Sequence, residues 1–222
     1  RKQPESKMTF AQYKERIVSA TRINQGRAMF RKHRALLTEI GFAYGVQPQY
    51  IVALWGIETN YGSNTGGFDV IDSLATLSFE GRRQEFFGKE LMNALKIIDA
   101  GHISAASMKG SWAGAMGQSQ FMPSSFLAYA QDYDKDGKKD IWGTQADVFA
   151  SAANYLSKSG WKGDELWGRL VSTPPSFNES MIDRKNKKPL STWSRMGVRL
   201  PNGGPLPVAD MKAGLVAPDG LN

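Results

Sequence analysis

The hydrophobic residues of the first part of the chain recur at the spacing of a helix. Apolar side chains three or four positions apart lie on one face of an α-helix, and residues 8–46 follow this pattern. The periodic positions of the first helical segment are Phe10, Tyr13, Ile17 and Val18. A second segment, 26–45, ends at Gly45, and glycine is favoured just beyond a helix end. The pattern predicts that the chain begins as helices.

Helical periodicity continues well beyond this region. A helix is predicted to begin near Pro48, because proline is favoured in the first helical turn, and this helix carries Glu58. Four more helices are predicted within 69–79, 82–101, 123–133 and 146–161. The last of these is rich in small residues, which allow helices to pack closely. The chain is therefore expected to belong to the mainly α class.

The character of the sequence changes after about Trp167, where Pro and Gly become frequent. The stretches there that resemble strands are short, at 168–172 and 196–200. We therefore expect residues 1–167 to form the main helical domain. Residues 168–222 are expected to form a loop-rich C-terminal lobe of the same region.

The amino-acid composition excludes several kinds of site and indicates the kind of partner. With 41% apolar residues, the 222-residue chain can bury the core of one domain. It contains neither an uninterrupted apolar stretch long enough to span a membrane nor an apolar signal-peptide segment at its start. The absence of cysteine excludes disulfides, thiol catalysis and cysteine zinc sites. A net charge of +7 favours anionic partners, whether nucleic acid, a membrane surface or a polysaccharide.

Glu58 is an acid inside an apolar helix. Ile51 and Trp55 lie seven and three positions before it, so the three side chains share one helix face. Apolar neighbours disfavour the charged form of a carboxyl group and raise its pKa, and such a group can donate a proton near neutral pH. A structural role, with the carboxylate bound by backbone or by arginine, is the alternative that this segment leaves open.

A segment rich in Gly, Ser, Gln and aromatic residues follows at 110–126 (GSWAGAMGQSQFMPSSF). Glycine lets the backbone approach a ligand closely. Amides can bind sugar hydroxyl groups, and rings can stack on sugar faces, so this composition favours a sugar-binding groove over a merely flexible loop.

Four long motifs follow one another along the chain: ALWGIETNYGSNTG, DSLATLSFEGRRQEFF, GSWAGAMGQSQFMPSSF and DYDKDGKKDIWGTQADVFASAANYLSKSGW. In this order they resemble the motifs of the MltB-type lytic murein transglycosylases. The resemblance extends from about Tyr13 to Arg199 and implies a lysozyme-like helical core. It also implies cleavage of the MurNAc–GlcNAc β-1,4 bond of peptidoglycan without water, leaving 1,6-anhydro-MurNAc ends. Because the family pattern continues past residue 222 with a Tyr- and Asn-bearing segment, the C-terminal part is expected to be truncated.

The resemblance also implies roles for individual residues. Glu58 is expected to be the single acid and base, assisted by the 2-acetamido group of the substrate; substrate assistance is a known exception to the use of two carboxylates. The expected substrate-binding residues are Ser111 and Gln120 beside the acid, Arg82 and Arg83 on the groove wall, and the aromatic residues Tyr13 and Tyr155.

The stretch 132–147 begins with the D-x-D-x-D-G pattern of an EF-hand loop. Carboxylate and carbonyl oxygens at this spacing favour Ca²⁺, although Gly143 stands at the twelfth position, where the standard loop has glutamate. The family has a longer loop with a later acid. The expected ligands are Asp132, Asp134, Asp136, the backbone of Lys138 and Asp147, with Asp140 acting through water. This Ca²⁺ would be structural, no cofactor is expected for the chemistry, and a solvated acidic turn is the alternative.

Other functions are less well supported by the sequence. It contains neither G-x-S-x-G nor H-E-x-x-H, and no recognisable nucleic-acid-binding module. The main rival is a non-catalytic peptidoglycan-binding or scaffolding module, which would have no need of Glu58. The expected partners are peptidoglycan glycan strands and proteins of cell-wall synthesis. The expected state is a periplasmic monomer, either soluble or anchored to the outer membrane.

Overall fold

The computed structural model describes residues 8–81 and 83–220, and within them α-helices predominate. The helices are α1 (Phe10–Ile17), α2 (Ala20–Lys32), α3 (Arg34–Tyr44), α4 (Pro48–Thr59), α5 (Val70–Phe79), α6 (Gln84–Asp99), α7 (Pro123–Tyr129), α8 (Gln145–Lys158) and α9 (Leu190–Arg195). The strands are short: β1 (Phe68–Asp69), β2 (Lys109–Gly110), β3 (Lys188–Pro189) and β4 (Lys212–Ala213). The mainly α class predicted from the sequence is confirmed.

The N-terminal helices begin and end at points that periodicity alone did not predict. The first predicted helix, 9–23, is divided at Ser19, whose side chain accepts a hydrogen bond from the backbone N–H of Arg22 and so begins α2. The second predicted segment is divided at His33, between α2 and α3. Gly45, with φ +66°, ends α3 as predicted.

The described chain divides into two compact units. One is Ser19–Gly163, and the other is drawn from Arg1–Val18 and Asp164–Asn222, of which 8–18 and 164–220 are described. The division therefore falls four residues before Trp167, and it groups α1 with the C-terminal segment. The boundary predicted from the sequence, between residues 167 and 168, stays a prediction.

The larger unit has two hydrophobic clusters. One packs α3, α4 and α8 together, and at its centre Trp55 meets Phe149 edge to face with ring centroids 5.1 Å apart. The other cluster joins α5, α6 and α7 with the glycine-rich segment (residues 110–126), through buried residues such as Leu74, Met116 and Phe126. The end of α4 and the glycine-rich segment are thereby held on a packed framework.

The smaller unit has its own cluster around the buried Trp193 of α9. Strands β3 and β4 pair in antiparallel register, with Lys188 opposite Ala213. The stretches predicted as strands, 168–172 and 196–200, meet in the single bridge Ser172–Arg199. None of the helices in the described part of the chain combines the length and the hydrophobicity needed to cross a membrane.

Candidate active site

Glu58 lies in the last turn of α4. On the same helix Ile51 and Trp55 are buried, whereas the Glu58 side chain is reached by solvent. The surrounding protein nevertheless desolvates its carboxyl group, and this burial raises the pKa of Glu58 above its ordinary value of 4.5. No charged group of the described chain is among the causes of the shift. Glu58 is therefore an accessible acid whose protonated form is stabilised relative to that of an ordinary glutamate.

The backbone directly after α4 is unusual, because three consecutive residues have positive φ. The angles are +49° at Asn60, +59° at Tyr61 and +79° at Gly62. Non-glycine residues adopt this conformation only where the surrounding structure enforces it, and such strain is common near functional sites. The Tyr61 hydroxyl donates to the backbone carbonyl of Arg22 at 2.7 Å. This tertiary bond helps to hold the sharp turn that follows Glu58.

The glycine-rich segment is joined to the chain that follows this turn. Strand β1 pairs with β2, with Phe68 opposite Gly110. Gly66 has φ +84° and lies so close to the Gly110 carbonyl that a side chain there would collide with it. Ser111 comes next, and its hydroxyl accepts hydrogen bonds from the backbone N–H groups of Ala113 (3.3 Å) and Ala115 (3.1 Å). Ser111 thus shapes the segment that carries it.

Gln120 is fixed on the same loop in a left-handed conformation, with φ +48°. Its side-chain amide nitrogen donates to the carbonyls of Thr65 (3.1 Å) and Gly117 (2.9 Å). The structure therefore ties Gln120 to the loop that follows α4. The substrate-binding role of Ser111 and Gln120 stays a prediction.

Tyr155 lies on α8 and is 37% exposed. Its ring packs against Tyr129 and Phe121, with centroids 5.2 Å and 5.8 Å away. Phe121 follows Gln120 in the chain, so Tyr155 lies near the end of the glycine-rich segment. Tyr13 is exposed on α1 of the smaller unit.

Of the two arginines predicted to bind substrate, the structure describes Arg83. Arg82 lies outside the described residues. Arg83 precedes α6 with φ +61°, and its guanidinium group lies 4.2 Å from the centre of the Phe86 ring. Stacking on an aromatic ring leaves the edge of the guanidinium group able to bind an anion.

The stretch 132–147, called here the acidic loop, brings together three of the predicted ligands. Carboxylate oxygens of Asp132, Asp134 and Asp147 all lie within 4.8 Å of one another. Because Ca²⁺ binds oxygen at about 2.3–2.6 Å, two oxygens on one ion can be up to roughly 5 Å apart. The spacing of these three carboxylates fits such an ion.

Asp147, predicted to be the later acid of the loop, is one of the three converging carboxylates. Its carboxylate is fully buried and accepts hydrogen bonds from the backbone N–H groups of Tyr133 and Asp140, each at 2.7 Å. Burial and the nearby Asp134 charge raise the pKa of Asp147 despite these bonds. A cation at the cluster would offset both effects.

The other predicted ligands are engaged differently. The Asp136 carboxylate accepts from the backbone N–H of Lys138 at 2.8 Å and is not among the three that converge in the described chain. The Asp140 carboxylate binds the N–H groups of Trp142 and Gly143, each at 2.9 Å. Both acids shape the loop, and coordination by Asp136, Lys138 and Asp140 stays a prediction.

Gln118 has no role predicted from the sequence, but the structure places it at a junction of several segments. It is 6% exposed and its side chain binds groups from α4 and from the end of the acidic loop. The sequence does not reveal this position, because the partners Trp142 and Trp55 lie 24 and 63 residues away along the chain.

The family model of the transglycosylase SLT domain matches residues 1–222 of this chain. The chain belongs to this family. The resemblance inferred from the four motifs is therefore confirmed.

One curated relative of this SLT domain is membrane-bound lytic murein transglycosylase B of Escherichia coli (strain K12). The two are 37% identical over 156 residues, which is 69% of this chain and 43% of the relative. The chain therefore spans less than half the length of that protein.

Two solved structures share the fold of this SLT domain. SltB3 from Pseudomonas aeruginosa, in complex with NAG-anhNAM-pentapeptide, is 47% identical with a TM-score of 0.90, over 93% of this chain and 56% of that chain. The Escherichia coli lytic transglycosylase Slt35, in complex with calcium, is 30% identical with a TM-score of 0.81, over 95% of this chain and 66% of that chain. The predicted fold class, that of a lytic transglycosylase, is confirmed.

Proposed function

We propose that this SLT domain is a peptidoglycan lytic transglycosylase with Glu58 as its single acid and base. The observation that carries the proposal is the state of Glu58, which is accessible to solvent but has a pKa raised by burial. The family match and the relatives named as lytic transglycosylases support it. The muropeptide in the SltB3 complex is the substrate class we extend to this chain.

In the proposed reaction, the Glu58 carboxyl group gives its proton to the glycosidic oxygen as the C1–O bond of MurNAc breaks. The carbonyl oxygen of the substrate's own 2-acetamido group attacks C1 and holds the positive charge. Glu58, now a carboxylate, takes the proton from the C6 hydroxyl as that oxygen attacks C1. The acetamido group is released and the 1,6-anhydro ring closes. One residue thus donates and recovers one proton, so no second carboxylate is required.

The loop around Glu58 would position the sugar. Ser111 and Gln120 lie on the segment that β1 and Thr65 tie to the turn after α4. We assign them to orientation of the acid and binding of the acetamido sugar. Arg82 and Arg83 are assigned to carboxylates of the lactyl or peptide groups, for which the guanidinium geometry is suited. Tyr13 and Tyr155 are assigned to sugar contacts.

The acidic loop is proposed to hold a structural Ca²⁺. Asp132, Asp134 and Asp147 would bind it, and the ion would neutralise their mutual repulsion. The Slt35 structure is a complex with calcium, which supports the choice of ion. The conformation of the loop would depend on this ion, whereas the reaction would not.

The cellular setting follows from the substrate. Peptidoglycan glycan strands are the proposed partner, and the periplasm is the proposed compartment. The positive net charge of the chain suits a polymer that carries carboxylates.

The decisive experiment is mass spectrometry of the products released from purified sacculi. Wild-type protein should release muropeptides that end in 1,6-anhydro-MurNAc. Glu58→Gln should fold and bind glycan but release almost none, because an amide cannot donate the proton. Reducing-end products would show hydrolysis instead, and binding without any product from the wild type would favour the non-catalytic module.

A further inference from the structure

The side chain of Gln118 joins parts of the larger unit that are far apart in sequence. Its amide oxygen accepts from the indole N–H of Trp55 at 2.8 Å and from the side-chain amide of Gln145 at 3.1 Å. Its amide nitrogen donates to the carbonyl of Trp142 at 2.8 Å. Both polar atoms of the amide are therefore used inside the protein, where unpaired groups would be costly.

The backbone of Gln118 makes two more links. Its N–H donates to the carbonyl of Ile141 at 2.8 Å, and its carbonyl accepts from the Thr59 hydroxyl at 3.0 Å. The same hydroxyl also accepts from the N–H of Gly62 at 3.1 Å. A side chain at Gly62 would collide with the Gln118 amide, so the turn after α4 lies directly against it.

These bonds bracket Glu58. Trp55 lies three residues before the acid and Thr59 directly after it, and both are bonded to Gln118. On the other side, Gln118 is bonded to Ile141 and Trp142, where the acidic loop leads into α8. One residue therefore ties the last turn of α4 to the segment that leads into α8.

We propose that Gln118 is a positioning residue that holds the Glu58 carboxyl group in its reactive place by bonding the α4 residues on either side of it. The proposal rests on the function assigned above. A displacement of about 1 Å in a catalytic group can reduce the rate about 10²-fold. Loss of the Gln118 amide would free the end of α4 to move by such an amount.

The chain contains a matched control in Gln47, at the other end of α4. There the indole N–H of Trp161 donates to the Gln47 amide oxygen at 2.7 Å, and the Gln47 amide nitrogen donates to the carbonyl of Gly163 at 2.6 Å. The chemistry resembles that of Gln118, but the bonds lie eleven residues before Glu58. Gln118→Met and Gln47→Met therefore remove comparable bonds from opposite ends of one helix.

The test measures kcat and KM for release of anhydro products from soluble glycan strands. For Gln118→Met we expect kcat to fall about 10²-fold with KM little changed. For Gln47→Met we expect a lower melting temperature but a kcat near that of the wild type. Gln118→Glu keeps the acceptor for Trp55 but places oxygen against the Trp142 carbonyl. Its kcat should therefore lie between that of Gln118→Met and that of Gln47→Met. It also serves as the test variant if Gln118→Met fails to fold.

A second readout does not depend on activity. Carboxyl-carbon NMR would follow the titration of Glu58 in each variant. Greater hydration of a loosened helix end should move the Glu58 midpoint toward the ordinary value in Gln118→Met but not in Gln47→Met. Equal effects of the two variants on kcat and on this midpoint, or no effect of Gln118→Met, would reduce Gln118 to a structural residue. If the wild type released no anhydro product, the proposed function would fail, and the NMR comparison would still decide the positioning role.

Discussion

At the scale of single residues, the protonation state of Glu58 is the property on which the proposed reaction depends. The carboxyl group is open to solvent, yet burial raises its pKa. A raised pKa keeps an acid protonated at pH values where ordinary glutamate is ionised. The residue can then donate a proton first and act as its conjugate base afterwards.

The pH dependence of kcat/KM should report this shift. Because the first step needs the protonated acid, kcat/KM should fall as pH rises through the pKa of Glu58. Steady-state rates on soluble glycan strands over a pH series would locate the midpoint of this fall. The midpoint should lie above 4.5, the ordinary value. A midpoint at or below that value would contradict the role of burial.

The same shift has a consequence for stability. The folded protein holds the Glu58 proton more tightly than the unfolded chain does. Stability contributed by the neutral acid is therefore complete below pH 4.5 and is lost as pH rises through the raised pKa. Glu58→Gln cannot ionise, so its melting temperature relative to wild type should increase across this window. Thermal melts of both proteins over a pH series would show a constant difference if Glu58 were not desolvated.

Gln120 and Ser111 should come next to Glu58 in importance. Gln120 has positive φ, which asparagine tolerates, so Gln120→Asn shortens the side chain with little backbone strain. Loss of a group that binds the transition state costs about 10²–10³ in kcat. We expect a fall of this order for Gln120→Asn and for Ser111→Ala, with circular dichroism as the check on folding. Full activity of either variant would remove that residue from the site.

At the scale of elements, the link between α6 and α7 depends on a buried carboxylate. Glu90 of α6 is 4% exposed and accepts hydrogen bonds from the Ser124 backbone N–H (2.8 Å) and hydroxyl (2.6 Å). Ser124 lies in the first turn of α7, where backbone N–H groups have no partner within the helix. Glu90 supplies that partner from another helix.

Removal of this carboxylate should therefore destabilise the larger unit. Glu90→Ala is expected to lower the free energy of unfolding by about 1–3 kcal/mol, because it leaves buried donors unpaired. Glu85 on the same helix is exposed and pairs with Lys89, so Glu85→Ala is a control expected to change stability by less than about 1 kcal/mol. Urea unfolding of the two variants provides the comparison. Equal losses would mean that the Glu90 bonds contribute no more than a surface pair.

The sequence predicts elements better than it predicts the bonds between them. Gly45 and Pro48 act within one or two turns of chain, so the end of α3 and the start of α4 could be read directly. Asp147 was found through the family resemblance, since nothing in the local pattern joins it to Asp132. The bonds of Gln118 join it to Trp55, 63 residues away, and no periodicity encodes such a distance. Site geometry is set by these tertiary bonds.

At the scale of the whole molecule, the acidic loop offers a way to couple ion binding to stability. Three carboxylates converge there, and one of them is buried. A ligand that binds only the folded state adds RT ln(1 + [L]/Kd), about 2.7 kcal/mol at a hundredfold excess over Kd. Millimolar Ca²⁺ should therefore raise the melting temperature. Mg²⁺ should raise it less, because it requires a tighter octahedral site.

Variants of the loop would identify the ligands. The Ca²⁺-dependent rise should nearly vanish in Asp132→Ala and in Asp147→Asn, while anhydro-product release should persist in part after chelation. Asp136→Ala tests whether the ligands extend beyond the three carboxylates that converge. Loss of the Ca²⁺-dependent rise in melting temperature in this variant would make Asp136 a ligand as well. Calorimetry without a Ca²⁺ signal at millimolar concentration would leave the loop as an acidic turn.

The side chain of Tyr61, in the turn after Glu58, also leaves no room for a side chain at two glycines. A methyl group at Gly56 would lie 2.6 Å from this ring, and one at Gly26 would lie 2.5 Å from its hydroxyl oxygen. Neither glycine can therefore acquire a side chain while Tyr61 keeps its place. In evolutionary terms the three positions are epistatic: a lineage could enlarge either glycine only after position 61 had become smaller. The order of substitutions near Glu58 is thus constrained by the size of one aromatic ring.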